Sequence, residues 1–200
     1  MEQTIQYPVE FSVDYPQKPL DKVSTFFRIF AVIPIAIIVG LVSGGSETWI
    51  SAGGLLFAAT GLMIVFQQKY PRWWFDWNYQ LLAFGARVAS YIGLLRDEYP
   101  STDEEQAVHL KLAYPDVKAQ LNRWLPLVKW FLAIPHYIVL LLLGIAAFFC
   151  WIFAWFAILF TGNYPRGLFD FITGVYRWYV RVIAYAFVLV TDQYPPFSLH

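Results

Sequence analysis

One order of landmarks occurs twice along the chain, and any fold it adopts has to accommodate both passes. The first runs from Tyr15-Pro16 through Ile33-Pro34, inside an apolar run, to Tyr70-Pro71-Arg72, Phe75-Asp76, Arg87 and Asp97-Glu98-Tyr99-Pro100. The second runs Tyr114-Pro115, Ile134-Pro135, Tyr164-Pro165-Arg166, Phe169-Asp170, Arg181 and Asp192-Gln193-Tyr194-Pro195. The offset is 99 residues at the first pair and 94 at the arginines, so only small insertions separate the passes. Recurrence over this length predicts internal duplication. The repeated unit is apolar and aromatic; it carries no recurring nucleophile, acid and base.

Composition says where such a unit belongs. Hydrophobic residues make up 58% of the chain and charged residues 14%, a balance shifted from that of soluble domains toward the bilayer. Formal net charge is zero, which removes the basic field expected of a nucleic-acid partner. The single Cys150 lies between Phe149 and Trp151, where a buried, inert thiol is expected. The first residues, Met-Glu-Gln-Thr-Ile-Gln-Tyr-Pro, lack the basic and then apolar order of a secretory signal, so no cleavage is expected there.

Each pass opens on a strand. Ile5, Tyr7, Val9, Phe11, Val13 and Tyr15 alternate with Gln6, Glu10, Ser12 and Asp14, and Val108, Leu110, Leu112 and Tyr114 alternate with His109 and Lys111. Period two marks half-buried strands, which are expected to pair as a small ribbon at the membrane face. Phe26 to Val42 and Trp49 to Phe66 then read as a transmembrane hairpin around Ser43-Gly44-Gly45-Ser46-Glu47. In the second pass Leu125 to Phe160 is unbroken apolar sequence of 36 residues. As one helix this would measure about 54 Å against a hydrocarbon core of about 30 Å, so two crossings turning near Gly144 are expected.

After each hairpin comes Tyr-Pro-Arg and a further helix, Trp73 to Leu95 and Leu168 to Val190. Asp170, Gly174, Arg177 and Arg181 form one helical stripe, matched by Asp76, Gln80, Ala83 and Arg87. Charges at a bilayer centre cost about 2.5 to 3.5 kcal/mol each, which places these helices in the interface. The positive-inside rule agrees. With only the hairpins crossing, neither turn carries Lys or Arg, while Lys18, Lys22, Lys69, Arg72, Arg96, Lys111, Lys118, Arg123 and Arg166 share the other side.

The prediction is an all-α integral membrane protein of two tandem repeats, each a short β-strand, a transmembrane helical hairpin and an interfacial amphipathic helix. It has four spans, with both termini cytoplasmic. The first repeat occupies 1–100, with hairpin 26–66 and amphipathic helix 73–95; 101–106 is the linker; the second repeat occupies 107–200, with hairpin 125–160 and amphipathic helix 168–190.

Several residues are candidates for function. Asp76, Arg87, Asp170, Arg177 and Arg181 form the polar stripe. Lys129 and His136, seven apart near Pro135, are ionisable groups within the third span; Lys129 is placed to snorkel and His136 to bond a carbonyl freed by the proline. The first pass has Arg28 and Ile35 at these positions. Seven Tyr-Pro pairs end elements, and Tyr70, Arg72, Tyr164 and Arg166 are expected to anchor at the headgroup level, with headgroup recognition the sharper alternative. Arg72–Asp76 and Arg166–Asp170 have the spacing of intrahelical ion pairs. His109, His136 and His200 are dispersed, so no metal or other cofactor is expected. Gly53, Gly54, Ala58 and Gly61 give the second span a small-residue face suited to close packing.

The second pass resembles the bacterial membrane family called domain of unknown function 4389. The strings that carry the resemblance are Leu127-Val128-Lys129-Trp130, Ala133-Ile134-Pro135-His136-Tyr137, Trp155 to Arg166, Phe169-Asp170-Phe171, Arg177-Trp178 and Thr191 to Phe197. It covers roughly Ala107 to Leu199, with the first pass a divergent second copy. The resemblance implies a bacterial cytoplasmic membrane location and no particular activity. The leading expectation is a non-enzymatic integral membrane scaffold or accessory subunit, partnered by membrane lipids and by a second copy or a membrane complex. An oligomeric channel or transporter lined by the charged stripe is the second expectation, and lipid binding or membrane remodelling the third.

Overall fold

The computed structural model describes residues 7–42, 58–102, 104 and 106–200. Its elements form three layers. The outer layer is an antiparallel ribbon of β1 (Val9–Val13) and β2 (Val108–Leu112), as the alternation predicts. Helices α2 (Arg72–Ile92) and α4 (Arg166–Ile183) form the middle layer; α1 (Lys22–Val42) and α3 (Ile134–Thr161) form the third.

Local chemistry sets the ends of the helices. Asp21 caps α1 by accepting from the backbone amides of Val23 and Ser24 at 2.7 and 3.2 Å. Pro71 and Pro165 stand immediately before α2 and α4, and a proline drives the tyrosine preceding it into extended backbone. Two pairs of left-handed residues turn the chain at helix ends: Gln68 (φ 48°) and Gly162 (φ 76°), then Leu94 (φ 63°) and Leu189 (φ 62°). The members of each pair stand 94 or 95 residues apart.

β1 does not pack on the helix nearest to it in sequence, α1, but on the last. β1 lies along α4: Tyr15 meets Phe169 edge-on at 5.0 Å, Arg177 Nε donates to the Phe11 carbonyl at 2.9 Å, and the Arg181 guanidinium lies over the Tyr7 ring. β2 lies on α2, where the Tyr79 hydroxyl donates to the Leu110 carbonyl at 2.9 Å and Phe75 meets Tyr114 edge-on at 5.1 Å. The ribbon thus joins the last long helix to α2, β1 lying on the one and β2 on the other.

The opposite faces of α2 and α4 cover the third layer. Phe84 and Val88 bury Ile35 of α1. Trp178, Val182 and Tyr185 pack on Tyr137, Leu140 and Leu143 of α3. At about 100° per residue, this row on α4 stands about 120° from the row that meets β1.

Three expectations change. Gly144 lies inside α3, which is continuous from Ile134 to Thr161, so the turn expected there does not exist. One glycine costs a helix about 1 kcal/mol, too little to break a run with no proline after Pro135. Among the described residues, α3 is the one helix long and apolar enough to cross a membrane, so the four expected spans are not present there. The turn expected at Ser43 to Thr48, with Gly53-Gly54 and most of the second leg of the first hairpin, lies outside the described residues. Finally, α2 and α4 are the middle layer, covered on two faces, and do not lie as free amphipathic helices.

Candidate functional site

Two of the buried cations, Arg28 and Lys129, hold the layers together, and the two are built alike. Arg28 leaves α1 and forms an ion pair with Asp97, donating also to the carbonyls of Tyr91 and Arg96 at 3.2 and 2.9 Å. Its guanidinium lies 4.5 Å above the Tyr91 ring. The second carboxylate oxygen of Asp97 accepts from the Asp21 amide at 2.7 Å. Lys129, fully buried, pairs with Asp192 at 2.7 Å and donates to the Thr191 carbonyl at 2.6 Å, with its ammonium over the Tyr185 ring. The second oxygen of Asp192 accepts from the Asn122 amide. Each cation thus takes a carboxylate and the carbonyl of the preceding residue. Burial draws the Lys129 ammonium below the usual lysine range, and Asp192 opposes that shift.

Lys129 therefore does not snorkel. It sits in a separate helical turn, Lys129–Leu132, facing the core. His136 starts α3 instead, enclosed by Trp178, Tyr194 and Phe197, whose ring stacks on the imidazole at 4.1 Å. Its Nδ1 accepts the Trp178 indole N–H at 3.0 Å, and Nε2 has no protein partner. The imidazole does not serve a carbonyl freed by Pro135: with Nδ1 accepting from the tryptophan, its one N–H is at Nε2, and Nε2 meets no carbonyl.

The polar stripe divides. Asp76 and Asp170 are exposed and form the expected intrahelical pairs with Arg72 and Arg166, at 3.1 and 3.8 Å. Arg87 donates to the Ser101 carbonyl, Arg177 to those of Phe11 and Leu199, and Arg181 to that of Ser198. The three arginines tie α2 and α4 to backbone carbonyls.

Tyr70 and Tyr164, expected as headgroup anchors, are 2% exposed. Their hydroxyls donate inward, to the carbonyls of Val188 and Gly93. The Tyr70 and Tyr164 carbonyls in turn accept from Tyr114 and Tyr15, and Arg72 and Arg166 cover the Tyr114 and Tyr15 rings at 4.8 and 4.5 Å. Arg72 and Arg166 themselves are exposed. Cys150 is half-buried on the inner side of α3.

The third layer leaves an apolar surface bare. On α3, Ile138, Leu141, Leu142, Ile145, Phe148, Phe149, Phe153, Phe156 and Phe160 are all exposed, at three- and four-residue steps over nearly the full helix. On α1 the bare residues include Phe26, Phe27, Ile29, Phe30, Ile33, Ile37 and Ile38. Sequence reasoning found the apolar composition but not its one-sidedness, because the inner face of α3 is equally apolar. Among the described residues no group of three His, Cys, Asp or Glu side chains is placed to hold a metal ion.

These features define a mostly helical, layered protein carrying, among the described residues, one helix of membrane-spanning length and a continuous bare apolar face. Residues 124–198 match the family model described as domain of unknown function 4389. No curated protein and no solved structure matches the chain.

Proposed function

We propose that this protein is a non-catalytic membrane scaffold. The bare face of α1 and α3 embeds it in lipid, and the polar ribbon faces water, where it docks a second copy or a subunit of a membrane complex. The observation that carries the reading is the bare apolar strip on α3, opposite the face that packs on α4. Nine large side chains in that strip, each partly exposed, represent on the order of 10 kcal/mol of apolar burial available to lipid. A strip of this length exceeds what monomeric soluble proteins leave uncovered.

The scaffold consists of two tandem copies of one unit, each contributing a strand to the other's helix. Support comes from contacts that recur at matching offsets: Arg28–Asp97 with Lys129–Asp192, Tyr15–Tyr164 with Tyr114–Tyr70, and Leu94 with Leu189. A conducting pathway is the weaker reading, since Arg87, Arg177 and Arg181 are bonded to backbone carbonyls.

Fractionation of cells expressing the full chain tests the membrane assignment. The protein should sediment with membranes, resist extraction by high salt or alkali, and come free in detergent. A monodisperse soluble protein without detergent would overturn the proposal.

A further inference from the structure

We infer that the protein lies flat in a single leaflet, with α1 and α3 parallel to the bilayer plane, and that the partner of its bare face is the acyl-chain layer of that leaflet. This rests on the membrane reading above and deepens it. The argument concerns the direction in which polarity changes. Ser12, Asp14, His109 and Lys111 are exposed on the outer face of the ribbon. β1 runs alongside α4, with Tyr7 at Arg181, Phe11 at Arg177 and Tyr15 at Phe169. Another side of α4 runs back along α3: the two helices are joined by the short turn after Thr161, and further on Trp178 and Val182 pack on Tyr137, Leu140 and Leu143. Beyond α3 lies the bare apolar strip. Polarity therefore falls across the helix axes, from ribbon to strip, and not along them.

An upright α3 would carry the ribbon with it. Glu10, Asp14 and Lys111 would then stand beside hydrocarbon, the placement that charged side chains avoid most strongly. Length argues the same way. At about 42 Å, α3 would need a tilt of about 45° to fit a core of about 30 Å, beyond the usual range of transmembrane helices. Lying flat, it needs no such fit, and a helix in that position sinks about 5–10 Å below the headgroup boundary. Trp73 and Trp77 extend the same side: they share the face of α2 that carries Phe84 and Val88, and both are exposed. Indole rings favour that boundary level.

The test uses the full chain with Cys150→Ser, and Cys150→Ala as a second background, reconstituted in phosphatidylethanolamine–phosphatidylglycerol vesicles. Single cysteines at Ile138, Ile145, Phe153 and Phe160 carry spin labels whose depth is read from relative accessibility to oxygen and to a water-soluble nickel chelate; Ser12→Cys reports on the ribbon. One shared, shallow depth at all four α3 positions, with position 12 in water, is the expected result. A depth that passes through the bilayer midplane, with positions 138 and 160 labelled by an impermeant maleimide from opposite sides, overturns the flat orientation and leaves the membrane assignment standing. Failure of all variants to float with the vesicles overturns both.

Discussion

The hydroxyl of Tyr15 donates to the backbone carbonyl of Tyr164, 149 residues further along the chain, and the hydroxyl of Tyr114 donates in the same way to the carbonyl of Tyr70. One Tyr-Pro pair thus ends a strand and holds the start of a helix in the other half. Removing either hydroxyl leaves a carbonyl at a helix start without that donor. Tyr15→Phe and Tyr114→Phe should each lower stability by about 1–2 kcal/mol. Denaturant unfolding in detergent measures this, and loss of neither midpoint would show that the ribbon is held by apolar contact alone.

The two buried cations differ in their reserve of partners. Arg28 keeps the carbonyls of Tyr91 and Arg96 if its carboxylate is neutralised, whereas Lys129 keeps only that of Thr191 among the partners described. Asp192→Asn should therefore cost about 3–5 kcal/mol, as for an uncompensated buried charge, and Asp97→Asn less. Equal losses in the two variants would contradict the ranking.

Lys129 also gives the protein a pH signature. Its folded pKa is lowered by burial, so just below the ordinary lysine value the unfolded chain binds the proton that the folded chain releases. Stability contributed by this group consequently rises with pH across that window. The buried tyrosines Tyr70 and Tyr164 are shifted upward and act with the opposite sign above the ordinary tyrosine value. Subtracting the profile of Lys129→Met from that of the native chain isolates the lysine, and the difference should slope upward with pH; a flat difference would count against a buried ammonium.

Two glycines should respond in opposite directions. A methyl group at Gly144 meets nothing within 4 Å, and the residue is mid-helix, so Gly144→Ala should stabilise by about 0.5–1 kcal/mol. A methyl group at Gly174 would stand 2.9 Å from both Cβ and the carbonyl oxygen of Leu199. Gly174→Ala should lift the C-terminal tail from α4, cost about 1–3 kcal/mol, and increase hydrogen exchange around Trp178. Destabilisation by Gly144→Ala would speak for a break in α3.

Arg177 separates scaffold from conduit. It ties α4 to the Phe11 and Leu199 carbonyls at 2.9 and 2.7 Å, so Arg177→Ala should lower stability by about 1.5–3 kcal/mol without creating or removing ion flux in liposomes. A change in flux at unchanged stability would revive the pathway reading.

Much of this was legible beforehand, for particular reasons. Alternation in Val9–Val13 and Val108–Leu112 marked the strands, and i,i+4 spacing marked Arg72–Asp76 and Arg166–Asp170, because both patterns are local. The packing of β1 on α4 was not legible: periodicity says that Phe11 is buried, not that α4 buries it. Arg177 and Arg181 read as one polar stripe of an interfacial helix, with no partner assigned, because their partners are backbone carbonyls, which leave no trace in side-chain sequence. The buried clamps had a readable signal, the joint recurrence of Arg28 with Asp97 and Lys129 with Asp192 in the same order. Gly144 was misplaced because bilayer thickness was applied to a helix that need not stand upright.

The long-range packing of β1 also orders events at the ribosome. β1 is made early, yet the strand it pairs with ends at Leu112 and the helix it lies along ends at Ile183. At about 5–20 residues per second, Phe11 waits roughly 10–30 s for Arg177 to emerge. Throughout that interval a nascent chain with its first apolar helix already synthesised presents an open strand edge. Packing of β1 is complete only once residues 108–112 and 166–183 have both been made.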